Sequence, residues 1–206
     1  DALLVGLASD GGLYVPESWP QIPDGGRGDY VETAVEVMSP FVAGSIDQDA
    51  FAQMVSDAYS VFDADDVAPL VDLGGGLHLM ELFHGPTLAF KDIALQLVGR
   101  LFDYELTRRG ERVTIVGATS GDTGSAAIEA CRDRPNVDIV ILHPAGRVTE
   151  VQRRQMTTVQ SANVHNVALD GTFDDCQDLV KAMFADEPFR ARMNLSAVNS
   201  INWARV

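Results

Sequence analysis

Positive charge, cysteine and long apolar runs are all scarce in this sequence of 206 residues. It has 15 lysine and arginine residues against 30 aspartate and glutamate residues, and therefore a formal net charge of −15. Nucleic acids and anionic membranes bind clustered positive charge, so neither is expected as a partner. No apolar run reaches the roughly eighteen residues of a transmembrane helix, and no basic-then-apolar leader is visible. We therefore expect a globular protein of the cytoplasm.

The spacings that are typical of metal and redox sites are missing as well. The two cysteines, Cys131 and Cys176, stand far apart without CxxC spacing, so buried thiols are expected rather than a redox pair. The four histidines have no HxxxH or similar ligand spacing. A metal site is therefore not expected.

The sequence pattern divides the chain into two parts. Residues 1–75 begin with turn-rich segments and continue with helical patterns near residues 30–42 and 47–62, which predict a small helical N-terminal lobe. Residues 76–206 alternate strand-like and helical patterns, which predicts an α/β region with a parallel sheet flanked by helices. The predicted strands are 113–118, 137–143 and 164–169, and the predicted helices are 122–132, 148–159 and 172–185.

Two glycine-rich segments of the first 76 residues are predicted to be turns. Residues 72–76, with the sequence DLGGG, have the composition of a phosphate-binding loop. They lack the preceding strand and following helix that would orient backbone amides towards an anion, so a turn is the better interpretation. The other cluster, at residues 24–28, is expected to separate two elements.

One lysine, Lys91, follows an aromatic residue and a small-residue turn in the segment 83–92, FHGPTLAFKD. Apolar residues recur at helical spacing as far as Gly110, which predicts an amphipathic helix with Lys91 in its first turn and Asp92 and Gln96 on the polar face. The positive end of a helix dipole disfavours an ammonium group and so favours the neutral amine that Schiff-base chemistry requires. The alternative is an ordinary exposed lysine. The surrounding Gly-Pro-Thr and Leu-Ala-Phe sequences favour the first interpretation.

A second group of candidate residues follows the first predicted strand, in residues 119–124 with the sequence TSGDTG. A strand, a small-residue turn and a helix N-terminus expose backbone amides to an anion, and Thr119, Ser120 and Thr123 add hydroxyl groups. The alternative is ordinary helix capping by Asp122 or Thr123. An imine-forming lysine and an anion-binding loop in one α/β unit fit a pyridoxal-phosphate enzyme that acts on an amino acid.

Residues 84–92 and 118–124 closely resemble motifs of the threonine synthase family. The resemblance covers most of the chain, and its other segments are residues 10–16, 146–148, 151–152, 155–158, 171–176 and 199–205. It implies the fold of the tryptophan-synthase β-subunit group, fold type II of the pyridoxal-phosphate enzymes, in partial form. It also implies a carbon–oxygen lyase acting on phosphates, which converts O-phospho-L-homoserine and water to L-threonine and phosphate in the last step of threonine biosynthesis.

The resemblance implies roles for individual residues. Lys91 binds the cofactor, pyridoxal 5'-phosphate, covalently and then moves protons among the substrate carbons. Asp122 contacts the cofactor in a role that stays open, because relatives in the wider fold group often carry asparagine there. His84 either lines the substrate pocket or orients its turn. The residues implied to bind the substrate carboxylate are Thr119, Ser120, Gly121 and Thr123.

The expelled phosphate of the substrate needs cations or amide donors. Arg153, Arg154 and Arg205 lie in matching segments, and Ser200 is a candidate N-cap for a final helix that could hold an anion. Surface ion pairs and ordinary capping are equally good interpretations of these residues.

Threonine synthases are considerably longer than this chain. The sequence shows neither the family's glycine-rich loop for the cofactor phosphate nor the segment expected ahead of residues 10–16. We therefore expect an N-terminal fragment that is inactive or nearly so by itself. Two alternatives stay open, another pyridoxal-phosphate-dependent lyase or dehydratase of the same fold group and a non-catalytic relative that binds phosphorylated ligands. The sequence leaves the oligomeric state undetermined.

Overall fold

A parallel sheet covered by helices is the main feature of the computed structural model, which describes residues 2–5, 12, 14–21 and 28–197. The helices are α1 (Ala2–Val5), α2 (Tyr30–Val42), α3 (Gln48–Tyr59), α4 (Lys91–Arg109), α5 (Asp122–Cys131), α6 (Glu150–Thr157), α7 (Phe173–Ala185) and α8 (Glu187–Met193). The strands are β1 (Leu70–Gly74), β2 (Leu77–Met80), β3 (Val113–Ala118), β4 (Val137–Pro144), β5 (Val164–Leu169) and β6 (Leu195–Ser196).

Four parallel strands form the main sheet in the order β5-β4-β3-β6. From β3 the chain adds β4 and then β5 on one side, and it later places β6 on the other side of β3. The strand order therefore reverses next to β3. In open α/β sheets such a reversal creates a ligand-binding crevice at the carboxyl ends of the strands, which here is the end of β3 at Ala118.

Different helices cover the two faces of strands β3 and β4. Ile115 and Ile139 belong to a core shared with α4, α5 and α6, whereas Val116 and Leu142 pack with Cys176 of α7. Burial on both faces explains why these strands are almost continuously apolar. The predicted parallel α/β sheet flanked by helices is confirmed.

Helix α4 is buried on two sides, which corrects the prediction from its sequence. Asp92 and Gln96 were expected on a polar face, but their exposed fractions are 0% and 3%. The apolar residues of α4 belong to two cores, one shared with the sheet (Leu95, Val98, Phe102, Leu106) and one shared with α2 and α3 (Leu97, Leu101). A helix between two layers loses its solvent face, so its polar residues must find partners inside the protein.

Helices α4 and α5 cross closely because α4 carries Gly99 at the contact. A Cβ atom on Gly99 would overlap the backbone carbonyl of Ala130 in α5. The helix then ends where the sequence predicts, at Gly110, which adopts a left-handed φ of 67°. Close packing of this kind fixes the middle of α4 against the C-terminal end of α5.

The predicted helical lobe contains the two expected helices, α2 and α3. Asp29 and Glu32 form a capping box at the start of α2, and Asp47 caps α3. Of residues 72–76, which were predicted to be a turn, Gly75 and Gly76 connect an antiparallel hairpin, β1–β2, whereas residues 72–74 belong to strand β1, so the predicted turn was too long. The expected boundary between residues 75 and 76 falls within that turn, and the division into two parts stays a prediction. The cluster at residues 24–28 lies outside the described residues except for Gly28.

The strands and helices predicted between residues 113 and 185 are confirmed, although α6 is shorter than expected. Hairpin β1–β2, helix α8 and strand β6 were not anticipated from the sequence. Cys131 and Cys176 are free and buried, as expected. Among the described residues, no helix combines the length and the hydropathy that a membrane span requires.

Replacing Gly99 with alanine should destabilise the protein by at least about 1 kcal/mol, because overpacking outweighs the higher helix propensity of alanine. The matched control is Gly117→Ala, where the new Cβ would meet only Ile141 Cδ1 at 3.5 Å. Urea unfolding of both variants measures the free energies of unfolding. Equal stability of Gly99→Ala and the native protein would contradict the close contact between α4 and α5.

Candidate active site

The segment that carries Lys91 is an irregular turn followed at once by helix α4. Lys91 is the first helical residue, as expected, and its side chain is partly exposed with Nζ 4.3 Å from the centre of the Phe90 ring. Leu88, in the middle of the turn, adopts a left-handed φ of 61° that is unusual for a residue with a branched side chain. Such a conformation persists only where its surroundings hold it.

The buried carboxylate of Asp92 holds this turn together. Its oxygens accept hydrogen bonds from Thr87 N at 2.8 Å and Thr87 Oγ1 at 2.7 Å. A Cβ atom on Gly85 would lie 2.5 Å from Asp92 Cβ, so only glycine fits there. Burial raises the pKa of Asp92, and the two bonds from Thr87 act in the opposite direction. Sequence reasoning missed this role, because the helical pattern predicted Asp92 on the polar face of α4.

The loop after β3 is organised by a buried hydroxyl group. Thr119 Oγ1 accepts hydrogen bonds from Gly121 N at 3.0 Å and Gly124 N at 2.9 Å. Helix α5 begins at Asp122, and Gly121 at the N-cap position has no side chain that could cap it. Capping by the side chain of Asp122 or Thr123 is therefore wrong, since Thr119 takes over that function from two residues upstream of Gly121.

The remaining donors of this loop are open towards the crevice. Ser120 is exposed and Thr123 is partly exposed. No hydrogen bond within the described residues uses the amides of Asp122 and Thr123, which belong to the first turn of α5. These hydroxyls and amides lie at the positive end of a helix and can bind a carboxylate. The predicted contacts of Thr119, Ser120, Gly121 and Thr123 with a substrate stay predictions, although the Thr119 hydroxyl is already engaged inside the loop.

Helix α6 joins the loop and the lysine turn. The side chain of Gln152 lies against Gly121, where a Cβ atom would overlap it, and Gln152 Nε2 donates a hydrogen bond to Asp122 Oδ1. One turn further along the helix, Gln155 Nε2 donates to the backbone oxygen of Thr87 at 2.9 Å. The structure thus brings together two segments that are about thirty residues apart, and it does so through side chains whose roles the sequence did not reveal.

His84 has partners close to the lysine turn. Its Nε2 lies 2.7 Å from Glu81 Oε2, and its backbone oxygen accepts a hydrogen bond from Asp63 N at 2.9 Å. The His84 ring also lies 4.7 Å from that of Phe83, measured between centroids. These contacts favour the role of orienting the turn, and contact with a substrate stays a prediction.

The candidate cations for a substrate phosphate are engaged elsewhere or lie outside the described residues. Arg153 Nε and Arg154 Nε donate to Glu150 at 2.9 Å and 2.8 Å. The hydrogen bonds from Arg153 and then Arg154 lower the pKa of Glu150 to about 2. Arg205 and Ser200 fall outside the part of the chain that the structure describes.

An apolar cavity lies beside the lysine turn and away from the loop. Its volume is about 620 Å³, it touches the first turn of α4 through Phe90 and Ile93, and it is otherwise lined mainly by apolar residues of α2, α3 and the hairpin. Apolar walls cannot bind an anion. We therefore locate the candidate site by its chemistry, at Lys91 and residues 119–124.

The sequence of this chain matches two family models and is similar to known threonine synthases. The family model described as "Threonine synthase N terminus" matches residues 1–59, and the model described as "Pyridoxal-phosphate dependent enzyme" matches residues 62–205. Threonine synthase of Pseudomonas aeruginosa is 60% identical over all of this chain and 45% of its own length. The Schizosaccharomyces pombe threonine synthase is 48% identical over all of this chain and 43% of its own length.

Solved structures give the same result. A threonine synthase from Brucella melitensis with bound PLP superposes with a TM-score of 0.95 and 56% identity, over 99% of this chain and 45% of that chain. Yeast threonine synthase gives a TM-score of 0.93 and 45% identity, over 99% of this chain and 43% of that chain. The chain therefore spans less than half the length of these relatives, in agreement with the expectation that they are longer.

Replacing Thr87 with valine should lower the free energy of unfolding at pH 7 by about 1–3 kcal/mol, because the buried Asp92 carboxylate loses a donor. The pKa of Asp92 in the folded protein lies above its ordinary value of 3.8, and losing this bond raises it further. The folded state therefore binds the proton before the unfolded state as the pH falls. The deficit of the variant should accordingly shrink between pH 7 and about pH 4.

Urea unfolding at several pH values measures that deficit. The control is Thr157→Val, whose hydroxyl donates to the Arg153 carbonyl and faces no carboxylate. A deficit of Thr87→Val that does not change with pH would contradict the pairing of Thr87 with an ionised Asp92.

Proposed function

This chain belongs to the family of pyridoxal-phosphate dependent enzymes, and from that premise we propose that it is the lysine-bearing part of a threonine synthase. In this proposal the full-length protein is a carbon–oxygen lyase that converts O-phospho-L-homoserine and water to L-threonine and phosphate. The observation that carries it is the joining of the Lys91 turn to the anion-binding loop through Gln155 and Gln152. The names and the high identity of the relatives support the same function.

The donor groups of the described residues fit pyridoxal phosphate and an amino-acid substrate. Lys91 supplies a partly exposed amine, and the sequence contains one other lysine, Lys181, which is exposed on α7 and paired with Asp178. The open amides and hydroxyls of residues 120–123 supply a site for a substrate carboxylate. When bound, pyridoxal phosphate withdraws electrons from the substrate carbon that carries the amino group.

Each residue then has a definite task. Lys91 would hold the cofactor and, as a free amine, would accept and return protons at the substrate carbons. Ser120 and Thr123, with the amides of the first turn of α5, hold the substrate carboxylate. Asp122 would contact the cofactor, and Gln152 Nε2 donates to one of its oxygens. His84 is a further candidate for contact with the substrate.

The lysine turn and the loop have separate functions in this mechanism. Thr87 and Asp92 fix the direction from which Lys91 approaches, while Thr119 fixes the loop that receives the carboxylate. The substrate is therefore held at one end while protons move at the other, which is the advantage of binding reactants in a fixed orientation. We also propose that the enzyme acts in the cytoplasm, where its water-soluble substrate and cofactor meet.

Reduction of the full-length protein with borohydride in the presence of pyridoxal phosphate should attach the cofactor to Lys91. Peptide mapping locates the adduct, and release of phosphate from O-phospho-L-homoserine measures activity. The Lys91→Ala variant should lose both, whereas the control Lys181→Ala should keep both. An adduct on Lys181 alone, or none, would overturn the proposed role of Lys91. Turnover of serine or threonine without turnover of phosphohomoserine would instead identify a dehydratase.

Replacing Ser120 with alanine should raise the KM for O-phospho-L-homoserine about tenfold or more, because a hydrogen bond to a charged group is lost. The value of kcat should change much less, since Ser120 does not act on the reacting carbons. Ser60→Ala is the control, because the Ser60 hydroxyl donates to a carbonyl at the end of α3, away from the loop. If the KM of Ser120→Ala matches that of this control, Ser120 does not bind the substrate carboxylate.

A further inference from the structure

Helix α6 is anchored to the sheet before it reaches the candidate site. Met156 is fully buried in the core formed by the sheet, α4 and α5. Its backbone oxygen accepts a hydrogen bond from Asn166 Nδ2 of strand β5 at 2.9 Å. The Sδ atom of Met156 would also lie 3.0 Å from a Cβ atom built on Gly124, so the helix packs directly on the start of α5. The position of α6 is therefore set by the sheet and α5 together.

From this anchored helix, Gln155 reaches the lysine turn. Its Nε2 donates to the Thr87 oxygen, while the amide and hydroxyl of the same threonine donate to Asp92. Helix α6 thus fixes the carbonyl of Thr87, and Asp92, the residue after Lys91, fixes the amide and the hydroxyl group of Thr87. A chain of three hydrogen bonds links α6 to the first turn of the lysine helix.

On the same side of α6, Gln152 reaches the loop. Its side-chain Nε2 donates to Asp122 Oδ1, and its Oε1 accepts a hydrogen bond from Thr149 Oγ1 at 2.7 Å. The contact with Gly121 holds the Gln152 side chain flat on the loop. Gln152 and Gln155 lie about one helix turn apart on α6. Their contacts therefore set the distance between the loop of residues 119–124 and the turn that carries Lys91.

We propose that Gln155 is a positioning residue for the reaction, which sets the placement of Lys91 relative to the loop of residues 119–124. This inference rests on the proposed function. Gln155 acts through Thr87 and Asp92 and does not itself touch the reacting atoms. Glutamine suits the task because its amide donates to the Thr87 carbonyl without adding a charge to the lysine turn. A misplacement of about 1 Å can cost up to about a hundredfold in rate, so a single lost bond in this chain is measurable.

The test uses the full-length protein with Gln155→Leu, which keeps much of the side-chain volume but removes the donor. We expect kcat for O-phospho-L-homoserine to fall about ten- to a hundredfold, while KM changes less than about twofold. The borohydride adduct at Lys91 should still form, because the amine is intact. Gln160→Leu is the matched control, since Gln160 is exposed and lies after the end of α6. A kcat equal to that of the control would overturn the inference.

A second variant, Gln155→Glu, separates positioning from a general loss of structure. A carboxyl group can donate to the Thr87 oxygen only when it is protonated. The ratio of the kcat of this variant to that of the native enzyme should therefore rise as the pH falls towards about 5, below which carboxyl groups become protonated. The same ratio for Gln155→Leu should be flat. A flat ratio for both variants would count against the bond to Thr87.

Hydrogen exchange of the cofactor-free protein gives a measurement that does not depend on activity. Residues 84–92 should exchange at least about threefold faster in Gln155→Leu than in Gln160→Leu, because the turn loses an anchor. Unchanged exchange in that segment would overturn the inference even if kcat falls. If the native protein does not turn over phosphohomoserine at all, the proposed function fails, and the exchange measurement still decides whether Gln155 holds the turn.

Discussion

The hydrogen bonds between Thr87 and the buried carboxylate of Asp92 are the interaction on which the candidate site depends. A carboxylate without access to water is costly unless donors surround it, and the turn before Lys91 supplies them. The stabilisation is mutual. The carboxylate accepts hydrogen bonds from the amide and the hydroxyl group of Thr87, and these two donors replace the water that the carboxylate loses on burial. It also explains why Leu88 can remain in a left-handed conformation close to Lys91.

The sheet and the helices around it bring this turn close to the loop of residues 119–124. Strand β3 ends where the strand order reverses, and the loop that follows leads directly into α5. Gly99 lets the middle of α4 approach the C-terminal end of α5 closely. Helix α6 then adds the side-chain contacts that the backbone alone cannot provide. The close approach of α4 to α5 and the hydrogen bonds from α6 thus connect the fold to the candidate site.

Much of the fold could be predicted from the sequence, because strands buried on both faces have an unmistakable apolar pattern. Lys91 and the loop of residues 119–124 could also be found, since their motifs are local in sequence. The burial of Asp92 could not, because it results from the packing of α4 between two layers, which a helical pattern does not reveal. The bond from Gln155 to Thr87 crosses 68 residues, and no local pattern reports a contact of that range.

The nature of the basic residues has a consequence for chemical selectivity. Of the 15 basic residues, only Lys91 and Lys181 carry a primary amine in the side chain. The arginine side chains keep their protons at any physiological pH and do not condense with aldehydes. An aldehyde cofactor therefore meets very few competing nucleophiles on this surface. Positive charge on this chain thus comes mainly from guanidinium groups, and of its two side-chain amines the one on Lys181 is paired with Asp178.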